Sequence, residues 1–422
     1  MAKTISAYDM SVSDSLYGPA KHYVSRERLE AMLRLEFAQL LEHLGPSRGD
    51  TKRFFAFANT VATSRYGESG KGRGWLGVRF QSRPREEPSS IFIHAHLLDS
   101  TTEYQQDALG VLGVNLIHGA FLRRASIADL IDSLMDELSR KRIDIDMIKL
   151  TGPTFASVNN RLLSLQLVER GLTDAAMFTA DGEVVQPSEV LYKKPVLVER
   201  GSFRPATKLT LDLLTRALDQ FLQEPGVKGQ KPVVLAEMTL RNLSANQGLD
   251  HEDFLARAEI LGALGFDVLI SRFEAYYQLA EYLAGYTDGL IGLAVGLPAV
   301  PQVVADERYF TDLPGGVLES AGRLFKRSVK MYVYPTRDPA SNEIHTALQG
   351  PIPPPWNHLR DLLLAIGRVV PIHAYDESLL SIHTPDVLER IQRQDPTWEE
   401  MVPAVVAEAI KTKNLFGLKS SS

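Results

Sequence analysis

PVLVERGSFRPATKLTLDLLTRALDQFL, from Pro195 to Leu222, followed by PVVLAEM from Pro232, decides the fold. A short apolar run rich in Val breaks at a Gly-Ser turn, a longer stretch of helical spacing follows, and a second Val-rich run restarts. Strand, helix, strand with no polar alternation in the strands is the signature of a buried, largely parallel sheet.

The same rhythm extends in both directions. Before it lie IDIDMIKL from Ile143 with the helical NNRLLSLQLVERG, and DAAMFTA from Asp174. After it come DHEDFLARAEILGALG from Asp250, FDVLIS with EAYYQLAEYLAG, GLIGLAV from Gly289, GVLESAGRLFK from Gly316 and VKMYVYP from Val329. A doubly wound, Rossmann-like sheet over residues 143–349 is the expectation, with a distorted barrel as the alternative. The lack of a helix between AAMFTA and PVLVER argues against a regular barrel.

The first part of the chain reads differently. A helix from about Ser25 to Leu44 precedes three strand-like runs, RFFAFANTVA from Arg53, GWLGVRF from Gly74 and SIFIHAHLL from Ser90, joined by Gly- and Pro-rich connections. This is an antiparallel pattern. Ser100 with Glu103 reads as a capping box opening a long helix to about Phe121, and another helix follows Ser126. Residues 1–142 are thus expected to form an α+β domain. The Pro-rich GPIPPPWNH from Gly350 reads as a stiff linker to a helical tail, 350–422.

Composition bounds the function. The 422 residues are 44% hydrophobic and 23% charged, an ordinary globular balance. Lys and Arg total 46 against 52 Asp and Glu, a net charge of -6, which argues against a broad basic surface for nucleic acid or anionic membrane. No Cys is present, so disulfides, thiolate metal sites and a Cys nucleophile are excluded. The opening MAKTISAYDMSVSDSLYGPAKHY has no apolar core of signal-peptide type, and no segment offers the roughly 18 uninterrupted apolar residues of a membrane span; a cytoplasmic protein is expected.

In parallel sheets ligands bind beyond the carboxyl ends of the strands. Those ends read Thr151-Gly152-Pro153, then Arg200 to Arg204, Glu237 with Thr239 and Arg241, Ser271-Arg272, Gly296, and Gly315-Gly316 before Glu319 and Arg323. Arg204, Arg241, Arg272, Arg323 and Lys326, with Gly201, Ser202, Ser271 and Gly316, are candidate anion-binding groups, because guanidinium grips phosphate or carboxylate bidentately. Salt bridges within the fold are the alternative reading of these cations. Glu237 and Glu319 are the candidate acid-base carboxylates, and either would equally well orient an arginine. His94 and His96 lie two apart on one strand face, with Asp99 at its end and His118 on the next helix; His94, His96 and Asp99 form a candidate metal set, against hydrogen-bonding histidines. Tyr276, Tyr277 and Trp398 read as packing residues.

No Gly-x-Ser-x-Gly, Walker or dinucleotide fingerprint occurs, so no cofactor follows from the sequence. The turn GSFRP, between strand and helix, resembles the first signature of the HxGH nucleotidyltransferases, in which the turn cradles a triphosphate and two histidines touch it. Here the histidine positions fall within Thr207-Lys208-Leu209-Thr210. The His-x-His of His94 and His96 also resembles the opening of metal-dependent amidohydrolases, while the later histidines do not fall at later strand ends. Through GWLGVRFQ, ALGVLGVNLIHGAF, NNRLLSLQLVERGLTDAAMF, VLVERGSFRP, GGVLESAGRLFK and WEEMVPAVVAEAIK, the chain resembles an uncharacterised bacterial family labelled automatically as nicotinate-nucleotide adenylyltransferase or TonB-dependent receptor. The leading expectation is a cytosolic enzyme, of transferase type, that binds a phosphorylated or anionic small metabolite such as a nucleotide. A non-catalytic homo-oligomer, using the apolar long helix and the tail around Trp398, and a His-metal hydrolase are the alternatives.

Overall fold

The computed structural model describes residues 10–64, 72–245, 248–301, 307–349 and 356–418. Most of the Pro-rich linker expected from Gly350, residues 350–355, lies outside them. The chain divides into two units, Met1–Thr173 and Asp174–Ser422. No helix among the described residues is long and apolar enough to cross a membrane.

The first unit is built on an antiparallel sheet, β1 (Phe55–Ala62), β2 (Gly72–Phe80), β3 (Ser89–Leu97) and β4 (Ile143–Thr151), in that spatial order. Period-two alternation sorts its side chains. Leu76, Val78, Phe80, Ile91, Ile93, Ile145 and Ile148 point to one face and pack with Leu109, Leu112 and Leu116 of helix α3 (Thr102–His118), Leu130 of α4 (Ile127–Ser133) and Leu163 of α5 (Asn160–Glu169). Each such side chain, fully buried, contributes on the order of 1.5–3 kcal/mol. After the short α1 (Met10–Tyr17), helix α2 (Arg26–Arg48) is capped by Ser25, whose side chain accepts from the Arg28 N–H, and it packs on β1 and β2. Gly77 permits that approach, since a Cβ there would stand 2.7 Å from a Leu33 methyl.

Two expectations need correction here. The run IDIDMIKL does not open the parallel domain; as β4 it pairs with β3 from Ser90↔Thr151 to Leu97↔Ile143. Its isoleucines continue the apolar face of β3, so the division falls at 173/174, not at 142/143. The cap of α3 is Thr101, whose side chain accepts from the Tyr104 N–H, one residue after the expected Ser100. Gly113 of α3 meets the sheet: a Cβ would lie 2.9 Å from the Phe57 ring, so its close contact is within this unit.

The second unit holds an eight-stranded sheet. In chain order its strands are β5 (Ala175–Phe178), β6 (Val184–Val185), β7 (Val196–Arg200), β8 (Val233–Thr239), β11 (Asp267–Ser271), β12 (Ile291–Gly296), β13 (Val329–Tyr334) and β16 (Val369–Pro371). The two-residue arms β9 (Ser244–Ala245) with β10 (Gly248–Leu249), and β14 (Thr336–Arg337) with β15 (Ile344–His345), pair outside it. Across the sheet the order is β16-β13-β12-β7-β8-β11-β5-β6. All pairs from β16 to β11 are parallel, and β5 and β6 add an antiparallel edge. That hairpin edge is why no full helix separates AAMFTA from PVLVER; only the short α6 (Pro187–Leu191) intervenes.

Helices cover both faces, so the strands are apolar on both sides. On one face Leu197, Ala294 and Tyr332 pack against Leu213, Leu214 and Phe221 of α7 (Lys208–Phe221). After the single turn α8 (Leu240–Leu243), α9 (His251–Ala263) sets Phe254 against Phe178 of β5, ring centroids 6.3 Å apart. On the other face Val196, Val198, Leu293 and Met331 pack with Leu279 of α10 (Tyr276–Tyr286), Leu324 of α11 (Gly316–Leu324) and Leu363 of α12 (Trp356–Ala365). The tail is therefore more than a helical appendix: beyond residue 350 it supplies α12 and the edge strand β16, where Pro371 is tolerated because an edge needs no donor on its outer side. Helices α13 (Thr384–Gln392) and α14 (Ala404–Lys413) complete it. Trp398 is 2% exposed, a core residue that offers no interaction surface.

Candidate functional site

Numbering the parallel strands in chain order, β7 is first and β12 fourth, and the sheet reads sixth, fifth, fourth, first, second, third. The winding reverses between β7 and β12. Connections leaving these two neighbours depart to opposite faces, so a crevice opens at their carboxyl ends.

On the α7 face this crevice has a distinctive floor. Glu199 of β7 is in register with Ala236 of β8 and Ala294 of β12, and farther along the chain stand Gly201 and Gly296. Glu199 is 8% exposed and its Oε2 has no hydrogen-bond partner among the described residues. Burial alone pushes its carboxyl well above the usual carboxylate range, toward the neutral form that donates an O–H.

The turn after β7 is held from outside. Gly201 N–H donates to the Glu237 carbonyl at 3.1 Å, Asn242 Nδ2 to the Gly201 carbonyl at 3.3 Å, and Arg257 Nη1 to the Ser202 carbonyl at 3.0 Å. Phe203, at φ 47°, folds its ring over Gly201, where a Cβ would lie 2.9 Å from it. The turn then enters α7, capped by Thr207, whose Oγ1 accepts from the Thr210 N–H at 3.3 Å. The N–H groups of Lys208 and Leu209 stay without a partner among the described residues.

Most charged candidates have found partners inside the fold. Both oxygens of Glu237 are taken by Arg200, Nε at 2.8 Å and Nη2 at 3.0 Å, and Ser271 Oγ donates a further bond at 2.6 Å. Arg200 also donates to the Glu274 carbonyl and lies 4.5 Å over the Tyr276 ring. Glu237 and Ser271 therefore form a buried brace across β7, β8 and β11, and Glu237 is not a free acid-base group. Arg204 binds Asp253 at 2.7 Å, a carboxylate shared with buried Arg257. Arg272 lies 4.0 Å from Asp174 at the β11–β5 edge, and Arg241 is exposed after β8.

The α11 group separates from these. Glu319 Oε2 accepts from the Gly315 N–H at 2.9 Å, capping its own helix, which Gly316 enters at φ 56°. Arg323 is spent on Glu281, at 2.8 and 2.6 Å, and lies 4.4 Å over Tyr277. Lys326 precedes β13, and α11 runs back along the sheet, so this lysine sits where strands begin, the edge away from the crevice. The sequence reading missed Glu199 and Asp253, and it placed Arg200 at a strand end without giving it a role. The signal for the first two was a Glu-Arg pair at the end of a run otherwise apolar on both faces.

In the first unit the histidine pair acquires a partner that sequence spacing did not supply. His94 Nδ1 lies 2.6 Å from Asp146 Oδ1 and His96 Nε2 lies 3.0 Å from Asp146 Oδ2. A β-bulge on β4 causes this: His94 pairs with Met147 and Ala95 with Ile145, leaving Asp146 as the extra residue between them, aimed at both imidazoles. Asp99 does not join; it binds Arg142 Nε at 2.8 Å. His118 belongs to α3, which covers the opposite face. Burial works to raise the Asp146 carboxyl, and the two histidines outweigh it and hold it well below the usual range. For His96 burial works downward, yet Asp146 and Asp144 carry the net shift upward. Asp144, opposite His96 in register, is pushed up to about 6 by burial and by Asp146.

No family model and no curated protein matches this chain. Among solved structures it is similar to the Plasmodium falciparum nicotinic acid mononucleotide adenylyltransferase complexed with APC, over 54% of this chain and 98% of that one, at 10% identity and a TM-score of 0.34. A likeness this loose carries no information about site or substrate.

Proposed function

We propose that the second unit binds a phosphorylated or otherwise anionic small metabolite, of the nucleotide or sugar-phosphate class, in the crevice between the ends of β7 and β12. The observation that carries this reading is Glu199: a buried carboxyl with an unpartnered oxygen at the point where the sheet reverses its winding. An unsatisfied buried polar group costs about 1–3 kcal/mol, and a ligand that accepts a hydrogen bond from its O–H recovers that cost. A neutral carboxyl beside an anion acts as donor, not as a repelling charge.

The surroundings suit the same ligand. Gly296 places no side chain between the ligand and the backbone, and the first turn of α7 offers the Lys208 and Leu209 N–H groups with the positive end of the helix dipole. Lys208 adds a cation. Arg204, held by Asp253, positions the turn and leaves direct anion contact to these groups.

The experiment is calorimetric titration of a nucleotide and sugar-phosphate panel against wild type, Gly296→Val, Glu199→Met and Lys208→Ala. A Cβ at Gly296 meets only Pro298 Cδ at 3.7 Å, so the valine folds but fills the crevice. Binding by wild type, abolished in Gly296→Val and weakened at least about tenfold in the other two, is the expected result, equivalent to about 1.4 kcal/mol or more. A panel without a binder, or a binder indifferent to Gly296→Val, refutes the crevice.

A further inference from the structure

We propose that His94, His96 and Asp146 of the first unit bind a divalent first-row transition-metal ion of the zinc class, a site whose existence does not depend on the metabolite crevice. The three side chains come from adjacent strands of one sheet and share its α2 face. One ring nitrogen each of His94 and His96 and one oxygen of Asp146 all lie within 4.8 Å of one another, the spread of donors around a single small ion.

The fold builds this convergence deliberately. Continuing the register of Ser90–His94 without a bulge would set Asp146 opposite Ala95, on the α3 face; the bulge leaves it as the extra residue, between His94 and His96. Opening the ladder there sends the Ile145 N–H to the Leu172 carbonyl at 3.2 Å, so that donor keeps a partner. Rigid support follows: His94 and Asp146 are each 2% exposed, and the Trp75 ring packs on His94 at 4.9 Å between centroids.

The donor set selects the ion. Two imidazoles and one carboxylate suit zinc and its transition-metal neighbours; magnesium and calcium prefer all-oxygen shells, and the chain has no Cys to favour a softer ion. Three protein donors leave further coordination positions open. The His96 side chain is 29% exposed, which gives solvent a way in, and Asp144, opposite His96, has a buried Oδ1 without a hydrogen-bond partner among the described residues. Asp144 stands outside the converging trio, and that oxygen would serve as an acceptor for a water on the ion rather than as a ligand.

Chelator-stripped full-length protein tests the site. Zinc is titrated calorimetrically, and cobalt(II) is followed by visible absorption and by quenching of tryptophan fluorescence, with magnesium and calcium as controls. One equivalent of zinc and of cobalt is expected, with quenching that reflects Trp75, and Asp146→Asn and His96→Gln each lower affinity by more than about tenfold. Circular dichroism checks the fold; if Asp146→Asn fails to fold, the partly exposed His96→Gln decides. Folded wild type that takes up no stoichiometric transition metal, uptake unchanged in folded His96→Gln, or equal affinity for calcium overturns the proposal and leaves a His–Asp–His hydrogen-bond network.

Discussion

Glu199→Gln separates the electrostatics of the crevice from its packing. In the unfolded chain Glu199 ionises near the ordinary glutamate value of 4.5; in the folded protein burial, with no partner for Oε2, sets its pKa well above that. Between the two values the native state keeps a proton that the unfolded state has released. Stability from this group is thus fully present below about pH 4 and is lost as pH rises toward the folded value, with a limiting slope of about 1.4 kcal/mol per pH unit. Glutamine has the same shape and does not titrate. The difference in unfolding free energy, variant minus wild type, should therefore climb with pH across that window and level off above it. Urea unfolding at a series of pH values measures it, and any constant cost of burying the amide shifts the whole difference curve without changing its slope. Parallel curves for the two proteins would refute the reasoning, because they would mean that Glu199 ionises alike in both states. Since the glutamine amide still donates, anion affinity should stay within about threefold, in contrast to Glu199→Met.

Other perturbations test the remaining framework. Arg200→Met leaves Glu237, 0% exposed, without its bidentate partner and should cost about 3–5 kcal/mol by thermal unfolding, whereas Arg204→Met, at a partly exposed pair, should cost clearly less. Gly152→Ala forces a side chain into φ 96° with its Cβ 2.6 Å from Ser89 Cα, so a loss above about 1 kcal/mol is expected in urea unfolding. Leu112→Ala, in the fully buried interface of α3 with the antiparallel sheet, should lose about 2–5 kcal/mol, read by the same assay.

The class of fold was legible because burial on both faces leaves a local trace: VLV in β7 and VVLA in β8 are apolar at every position, and the helix between them is amphipathic. Strand partners left no such trace. IDIDMIKL has the isoleucine alternation of a strand with one buried face, and it follows helices; whether it closes the first sheet or opens the second depends on pairing with Ser90–Leu97, some distance back in the chain. The tail shows the same blindness, since Val369–Pro371 is too short to announce a strand and earns its place only as an edge added to β13.

Charge pairing is the less legible half of the problem, and it reverses the weight of the candidates. Arginines in strand-end loops look available in a sequence because their carboxylates are far away in number: Glu237 is 37 positions from Arg200, Glu281 is 42 from Arg323, and Asp253 is 49 from Arg204. Folding brings each pair together, and a guanidinium already gripping a carboxylate must give up that pair before it can hold a ligand. Glu199 runs the other way. Within VLVER it reads as the trailing charge of an apolar strand, yet the register sets it between two alanines, where no cation among the described residues reaches its Oε2. Asp146 is hidden similarly, 52 positions from His94 and moved between both histidines by a bulge that no spacing rule encodes. Binding capacity resides in the polar groups that folding buries and leaves unsatisfied or gathers around a common point, and these are defined by strand register, not by the residue types that a loop displays.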